Sequence, residues 1–191
     1  MSPASRAVAG GPQSNPVCIR QAVGPADIAA VRECFQAYTE WLNEDISFQN
    51  YAAELDGLPG KYAPPSGALL LAVNPSDDRA LGCIAMRPIQ LKPEYLCNRK
   101  ANVKVCEMKR LFVYPEARGR QVASALVQQA MALARRAGHD EMVLDTMIRM
   151  QPAIKLYESQ WFAVSEPYYF NPLPGVVYFT RNLRHESPTG T

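Results

Sequence analysis

The sequence predicts an α/β chain of the α+β kind, with a mixed, mostly antiparallel central sheet of about seven strands flanked by about four helices. Three observations predict it. Strand-type and helix-type apolar patterns alternate in the order β α α β β β α β α β β. A strand, helix, strand run from Val103 to Met147 requires a parallel pair with a right-handed crossover. Just before it, "ALLLAVN" and "ALGCIAMRPI" are joined by "PSDDR", which is too short for a crossover and therefore makes a hairpin.

The elements follow in order. Residues Met1 to Pro16 are rich in Ser, Ala, Gly and Pro and bury too little to offset ordering, so a flexible tail is expected there and again over residues 186–191. Between them, residues 17–185 form one domain. "VCIRQAV" is a short strand, followed by "GPADIAAVRECFQAYTEWL", a helix with Pro25 near its start. Its apolar residues Ile28, Val31, Cys34, Phe35, Tyr38, Trp41 and Leu42 recur at helical spacing. "SFQNYAAELDGL" reads as a shorter helix capped by Ser47, and "GLPGKYAPPSG" ends it in a loop. After the hairpin, "VKVCEMKRLFV" is a third apolar run. "RGRQVASALVQQAMALARRAG" is then a helix closing on Gly138, with Arg135 and Arg136 at the negative end of its dipole. "EMVLDTM" is a strand, "QPAIKLYESQWF" a helix opened by Pro152, and two strands surround "NPLPG".

Composition excludes several classes. The 191 residues are 48% hydrophobic and 20% charged, which suits one globular domain with a real core. A net charge of +2, with no run of five or more like charges and no basic stripe interleaved with aromatics, argues against a nucleic-acid module or an anionic membrane surface. The five cysteines (Cys18, Cys34, Cys83, Cys97, Cys106) show neither a disulfide framework nor metal-ligand spacing, so they are expected to be reduced thiols. No signal-type apolar segment and no run of about 18 apolar residues is present, and a soluble, cytoplasmic protein is expected.

The chemistry concentrates in "KRLFVYPEARGRQVASALVQQA", Lys109 to Ala130, where a strand passes through a proline turn into a helix. Backbone N–H groups from about Arg118 to Ser124 sit at the positive end of the helix dipole and can bind phosphate oxygens. Arg118 and Arg120 add positive charge, a combination suited to a diphosphate. Neither GxxxxGKS/T nor GxGxxG is present, so nucleotide and dinucleotide fingerprints are excluded.

Within this stretch, "RLFVYPEARGRQVASAL" resembles the acyl-coenzyme A signature of the GNAT superfamily of N-acetyltransferases. There, a strand ends in an apolar Val, a Pro-containing turn follows, and Gln/Arg-x-x-Gly-x-Gly/Ala opens the helix. Arg118 and Ala123 match, Gly119 is typical, and Gln121 stands where the central glycine is usual. "DTMIRMQPAIKLYESQWF" resembles a second superfamily segment, matched by Ala153, Leu156, Tyr157 and Phe162, with Trp161 in place of a glycine. "YYFNPLPGVVYFTRNL" and "FQNYAAELDGLPGKYAPPSG" resemble one bacterial subgroup with a YYxNPLPG hairpin, so the likeness covers nearly the whole chain beyond the tail.

The resemblance implies a GNAT fold, acetyl-CoA as co-substrate, no metal, and acetyl transfer to a primary amine of a small molecule, peptide or protein by direct attack. The coenzyme contacts it implies are Leu111, Phe112, Val113, Arg118, Gly119, Arg120, Gln121, Val122, Ala123 and Ser124. A bulge is expected to splay this strand from its parallel neighbour. The N–H of Leu111 or Phe112 would polarise the thioester, and Val113 would bond the pantetheine arm. One preorganised donor of this kind is worth roughly 3 to 4 kcal/mol. Gln121 is expected in the first helical turn with negative φ, where no glycine is required.

Tyr157 is implied as the general acid for the leaving thiolate, and Glu107 as the base. Freeing an alkylamine of pKa about 10.4 near neutral pH costs roughly 4 to 5 kcal/mol, so a base has work to do. Strict alternation would place Glu107, Lys109, Leu111 and Val113 on one face and Met108, Arg110 and Phe112 on the other. Glu40, Glu54 and Asp145 are rival bases. A covalent route through Cys106 is disfavoured, because the adjoining Glu107 would raise its thiol pKa.

Acceptor contacts are sought in Trp41, Phe48, Gln49, Glu54 and Tyr168, a mixture of aromatic and acidic groups that suits a cationic amine. A coenzyme-binding domain without catalysis is the alternative, and an acyl chain longer than acetyl stays open. The edge strand beside "NPLPG" offers a surface for a homodimer.

Overall fold

The computed structural model runs β1 (Cys18–Gln21), α1 (Pro25–Leu42), α2 (Tyr51–Asp56), β2 (Ala68–Val73), β3 (Ala80–Ile89), β4 (Val105–Val113), α3 (Val122–Arg136), β5 (Glu141–Met147), α4 (Gln151–Ser159), β6 (Ala163–Ser165) and β7 (Val176–Asn182). It describes residues 17–96, 99–100 and 102–184. The tails expected at 1–16 and 186–191, together with Cys97 and His185, lie outside the described residues. All the strands share one sheet in the order β1-β2-β3-β4-β5-β7-β6. Among the described residues only β4 and β5 run parallel, and α3 is the crossover between them. The mixed, mostly antiparallel sheet expected from the element order is therefore present.

Two layers of helices cover the sheet because its strands are apolar on both faces. β2 is buried throughout: Ala68, Leu70 and Ala72 face α3, while Leu69, Leu71 and Val73 face α1. On the α3 side Leu126, Val127 and Ala130 pack with Ile84, Met108, Met142 and Leu144, and α4 joins them through Tyr157. On the other side Val31, Cys34 and Phe35 of α1 pack with Cys83, Ala85 and Phe112. Burying a side chain of this size contributes roughly 1.5 to 3 kcal/mol, so these two cores hold the sheet rigid between the helices.

Four local expectations are corrected. Ser47 does not cap α2: Ser47–Gln49 form a separate 3-10 turn, the Asp45 carboxylate accepts the Ser47 N–H at 2.8 Å, and Asn50 precedes α2 in a left-handed conformation. The helix expected from Arg118 begins instead at Val122. Residues 115–117 are a 3-10 turn, and the Arg118 N–H is already committed to the Pro115 carbonyl at 3.2 Å. Gln121 is not in the first helical turn with negative φ; its φ is 62°.

The fourth correction concerns β4. Cys83 pairs with Phe112 and Ala85 with Lys109, so β4 carries one residue more than β3 across this interval. That is a bulge, and Arg110 sits in it at φ 56°. Alternation breaks there. Leu111 and Val113 pack with Met108 on the α3 side, whereas Phe112 lies with the α1 core. Glu107 therefore does not share a face with Leu111, contrary to the alternating pattern. Gly82 permits the bend, since a Cβ on it would collide with the Phe112 carbonyl oxygen.

Candidate active site

The bulge determines the site. β4 and β5 pair only from Val105 to Glu107, opposite Glu141 to Val143. Beyond Glu107 the two strands separate, and the β5-facing edge of β4 has no ladder partner. Unpaired backbone groups at such an edge must bond to something else, water or a ligand. Two cavities occupy the opening. One, about 500 Å³, lies against the start of α3. The other, about 110 Å³, lies between β4, β5 and the end of α1. They share Trp41, Leu111, Met150 and Ala153 in their walls, so one groove leads into the other.

The larger cavity receives every residue assigned to coenzyme contact except Arg120. The amides of Val122, Ala123 and Ser124 lie in the first turn of α3 and have no intrahelical acceptors. Before them Gly119 (φ 74°) and Gln121 (φ 62°) turn the chain in left-handed conformations. A non-glycine residue in that region costs about 1 to 2 kcal/mol. The turn keeps a glycine's geometry at a position that holds glutamine. The Arg118 side chain folds inward, with Nε donating to the Val113 carbonyl at 3.1 Å and its guanidinium 5.3 Å from the Trp41 ring centre. Across the groove stand Arg149 and Pro152, which sequence reasoning missed. Arg149 is tied to the Glu44 carboxylate at 2.7 Å and to the Leu42 carbonyl at 2.9 Å.

Tyr157 enters the wall of the smaller cavity, beside the junction. Its ring packs against Phe162 and Phe179. Burial pushes its hydroxyl well above the ordinary tyrosine value, with Tyr38 and Asp145 adding to the effect, so the group stays protonated at neutral pH. The end of α4 fixes this ring. Phe162 N–H donates to the Tyr157 carbonyl at 3.0 Å and Trp161 N–H to the Glu158 carbonyl at 2.9 Å. With Trp161 at φ 63°, this is a Schellman cap, closed by the Tyr157 and Phe162 contact.

Glu107 is 2% exposed and does not line either cavity. It accepts from Arg87 at 2.6 Å, Lys109 at 3.3 Å and Tyr168 at 2.9 Å. Burial works to raise its pKa, but the charges of Lys109 and Arg87 and the bonds from Arg87 and Tyr168 hold it below the usual carboxylate value. The carboxylate that faces the smaller cavity is Asp145, named in the sequence as a rival. Its Oδ1 accepts from Tyr168 at 3.1 Å; its Oδ2 accepts from Tyr169 at 3.0 Å and Asn171 at 2.8 Å. All three donors come from the segment between β6 and β7, which brings "YYFNPLPG" to the site.

The acceptor candidates divide. Trp41 and Gln49 line the smaller cavity, and Tyr168 stands behind it on Asp145. Glu54 does not reach it: both its oxygens are held by Arg110, at 3.1 and 2.7 Å, and Oε1 also accepts from Tyr62 at 2.6 Å. Glu54 thereby anchors the bulge residue. Phe48 is exposed and lies outside the cavity wall. Lys109, Arg110 and Asn171 line the cavity and were not singled out as acceptor contacts. The run of cations beside Glu107 in "EMKRL" was the available signal for the first two.

The four described thiols line neither cavity. Burial raises the Cys106 pKa to about 12, so it holds its proton at neutral pH. Among the described residues no helix is long and apolar enough to cross a membrane.

Comparison with known proteins shows the family and the fold. Residues 28–162 match the model of the acetyltransferase (GNAT) family. An uncharacterized N-acetyltransferase of Schizosaccharomyces pombe is 38% identical over 154 residues, covering 81% of this chain and 87% of that protein. Another, of Dictyostelium discoideum, is 31% identical over 200 residues, covering 79% and 92%. Among solved structures, that of a Salmonella typhimurium protein with its cofactor acetyl-CoA superposes with a TM-score of 0.60 at 18% identity. It covers 92% of this chain and 99% of the other, a likeness of fold.

Proposed function

The chain belongs to the acetyltransferase (GNAT) family, and on that premise we propose that it transfers an acetyl group from acetyl-CoA to a primary amine by direct attack in a ternary complex. The observation that carries this reading is the meeting of the two cavities at Leu111 and Ala153, with the protonated Tyr157 on the far side of the junction. A thioester placed there reaches the acceptor from one cavity while its coenzyme lies in the other.

In this reading the diphosphate rests on the amides of Val122 to Ser124, with Arg118 close by, where the helix dipole favours negative charge. The pantetheine arm runs along the unpaired edge of β4 at Val113. An amide at Leu111 or Phe112 stabilises the oxyanion of the tetrahedral intermediate. Tyr157 gives its proton to the sulfur as the C–S bond breaks. Cys106, buried and protonated, is a poor nucleophile, which favours direct attack over an acyl-enzyme.

The test is amine-dependent release of coenzyme A thiol from acetyl-CoA by the purified protein, alongside calorimetric binding of acetyl-CoA. Tight binding with no thiol release for any primary amine would favour a coenzyme-binding domain without catalysis.

A further inference from the structure

Resting on that acetyltransferase reading, we propose that the smaller cavity takes the ammonium end of a primary alkylamine, and that Asp145 Oδ1 is the atom that removes its proton, with Tyr168 as the positioning residue.

The argument begins with charge. A partly buried carboxylate is normally matched by a cation, because an unpaired charge away from water is costly. Lys109 and Arg110 both line the cavity, yet Lys109 is paired with Glu107 and Arg110 with Glu54. Asp145 has three neutral donors and, among the described residues, no ion-pair partner. The one anionic group in the wall of this cavity therefore has its cation missing, and a substrate ammonium supplies it. Gln49 adds a second sign. It lines the same cavity, and its Oε1 is buried with no hydrogen-bond partner, an acceptor waiting for an N–H. With the cations of the wall already committed, an acceptor bearing a carboxylate beside its amine finds no free partner there. A volume of about 110 Å³ admits a slender chain end.

The proton count gives the second half. Tyr168 Oη has one hydrogen and stands between two carboxylate oxygens, Glu107 Oε1 at 2.9 Å and Asp145 Oδ1 at 3.1 Å. One hydrogen cannot fully serve both. Once Asp145 Oδ1 takes a proton from the ammonium, Asp145 donates to Tyr168 and Tyr168 to Glu107, so each contact has its own hydrogen. Protonation thus completes the chain, with Oδ2 held by Tyr169 and Asn171 throughout. Of the three ammonium protons, one stays on the amide nitrogen. One leaves to water through Asp145, and one replaces the proton that Tyr157 gives to sulfur. The N–C bond forms and the C–S bond breaks with no other reactant.

The experiment uses the full chain, acetyl-CoA and a panel of primary amines: propylamine, butylamine and pentylamine, the same chains bearing an α-carboxylate, and the weakly basic trifluoroethylamine. The wild type is expected to prefer the simple alkylamines over their carboxylated analogues. Asp145→Asn, which keeps the shape and the bond to Tyr168, is expected to lose about 10²- to 10⁴-fold in kcat/KM for butylamine at neutral pH. Its acetyl-CoA affinity stays within twofold of wild type. The loss should shrink as pH rises toward 10, where the amine arrives deprotonated, and should be smaller for trifluoroethylamine at every pH. Tyr168→Phe gives an independent check, with a smaller loss, unchanged acetyl-CoA affinity and an altered pH profile. Wild-type rates in either variant, a pH-independent loss, or preference for the carboxylated amines would overturn the proposal while acetyl-CoA binding stands. Failure of the wild type to bind acetyl-CoA would instead remove the acetyltransferase reading, and this proposal with it.

Discussion

The Arg118 guanidinium lies 5.3 Å from the centre of the Trp41 ring while its Nε donates to the Val113 carbonyl. This stack joins the α3 turn to the end of α1 over the junction of the two cavities, and Trp41 belongs to the walls of both. Trp41 is 49% exposed, because it borders an open groove and not the core its helical spacing pointed to. A cation–π contact at such a site contributes about 0.5 to 1 kcal/mol. Trp41→Ala should therefore raise the acetyl-CoA Kd by about two- to fivefold. It should also raise KM for the amine, whereas Trp41→Phe retains most of both. Calorimetry and initial rates check it. Unchanged values in Trp41→Ala would mean that Arg118 is placed by Val113 alone.

Gln121 and Trp161 both hold a left-handed backbone, at φ 62° and 63°, where the superfamily motifs carry glycine. Gly at either position relieves a strain of about 1 to 2 kcal/mol. Trp161→Gly gives up some contact from a mostly exposed ring, so a net gain of about 1 kcal/mol is expected, or about 2 to 4 °C in Tm. Gln121→Gly should gain stability and keep or tighten acetyl-CoA binding. Thermal melts and calorimetry read both. A marked loss of coenzyme affinity in Gln121→Gly would show that the glutamine amide itself contacts the ligand.

How far the sequence reached is visible in these same residues. Hydrophobic period and turn chemistry carry the element order, because strand and helix faces must match the layers they bury. The cavity at the start of α3 was legible at "PEARGRQVAS" because a strand-to-helix turn is a local feature, formed by residues adjacent in the chain. The positive φ of Gln121 was not, since a glutamine reads as an ordinary helix residue until the turn around it is fixed. The bulge at Arg110 is set by pairing with β3 and by the Glu54 anchor 56 positions away, and alternation within β4 carries no trace of it. Asp145 acquires its place only when the segment from Tyr168 to Asn171 folds back onto β5, a contact of long sequence separation.

Glu54 and Arg110 form a buried pair with side chains 11% and 2% exposed, and Arg110 holds the left-handed position of the bulge. Removing one partner of such a pair costs roughly 3 to 5 kcal/mol, so Glu54→Ala should destabilise by that amount and loosen the opening beside β4. The pH dependence follows from the same carboxylates. Burial opposes ionisation of Glu54 and Glu107, but Arg110 for the first and Lys109 and Arg87 for the second hold both below the ordinary value of 4.5. Their folded-state pKa is depressed, so their stabilisation is complete above the unfolded value and is lost as pH falls through the folded one. Chemical denaturation should show a plateau above about pH 5.5 and a decline that begins below about pH 4.5. In Glu54→Ala that decline should be shallower; an equally steep one would show that other groups govern acid unfolding.

Tyr157 gives the most direct test of acetyl transfer through this groove. Its hydroxyl is held protonated at the junction of the cavities, while its ring alone packs on Phe162 and Phe179. Tyr157→Phe preserves the ring contacts and removes only the hydroxyl. With acetyl-CoA and the best amine of the panel, kcat should fall by about 10² or more. The calorimetric Kd for acetyl-CoA should stay within twofold and Tm within a few degrees of wild type. Equal kcat in the two proteins would contradict the assignment of Tyr157 as the group that protonates the leaving thiolate.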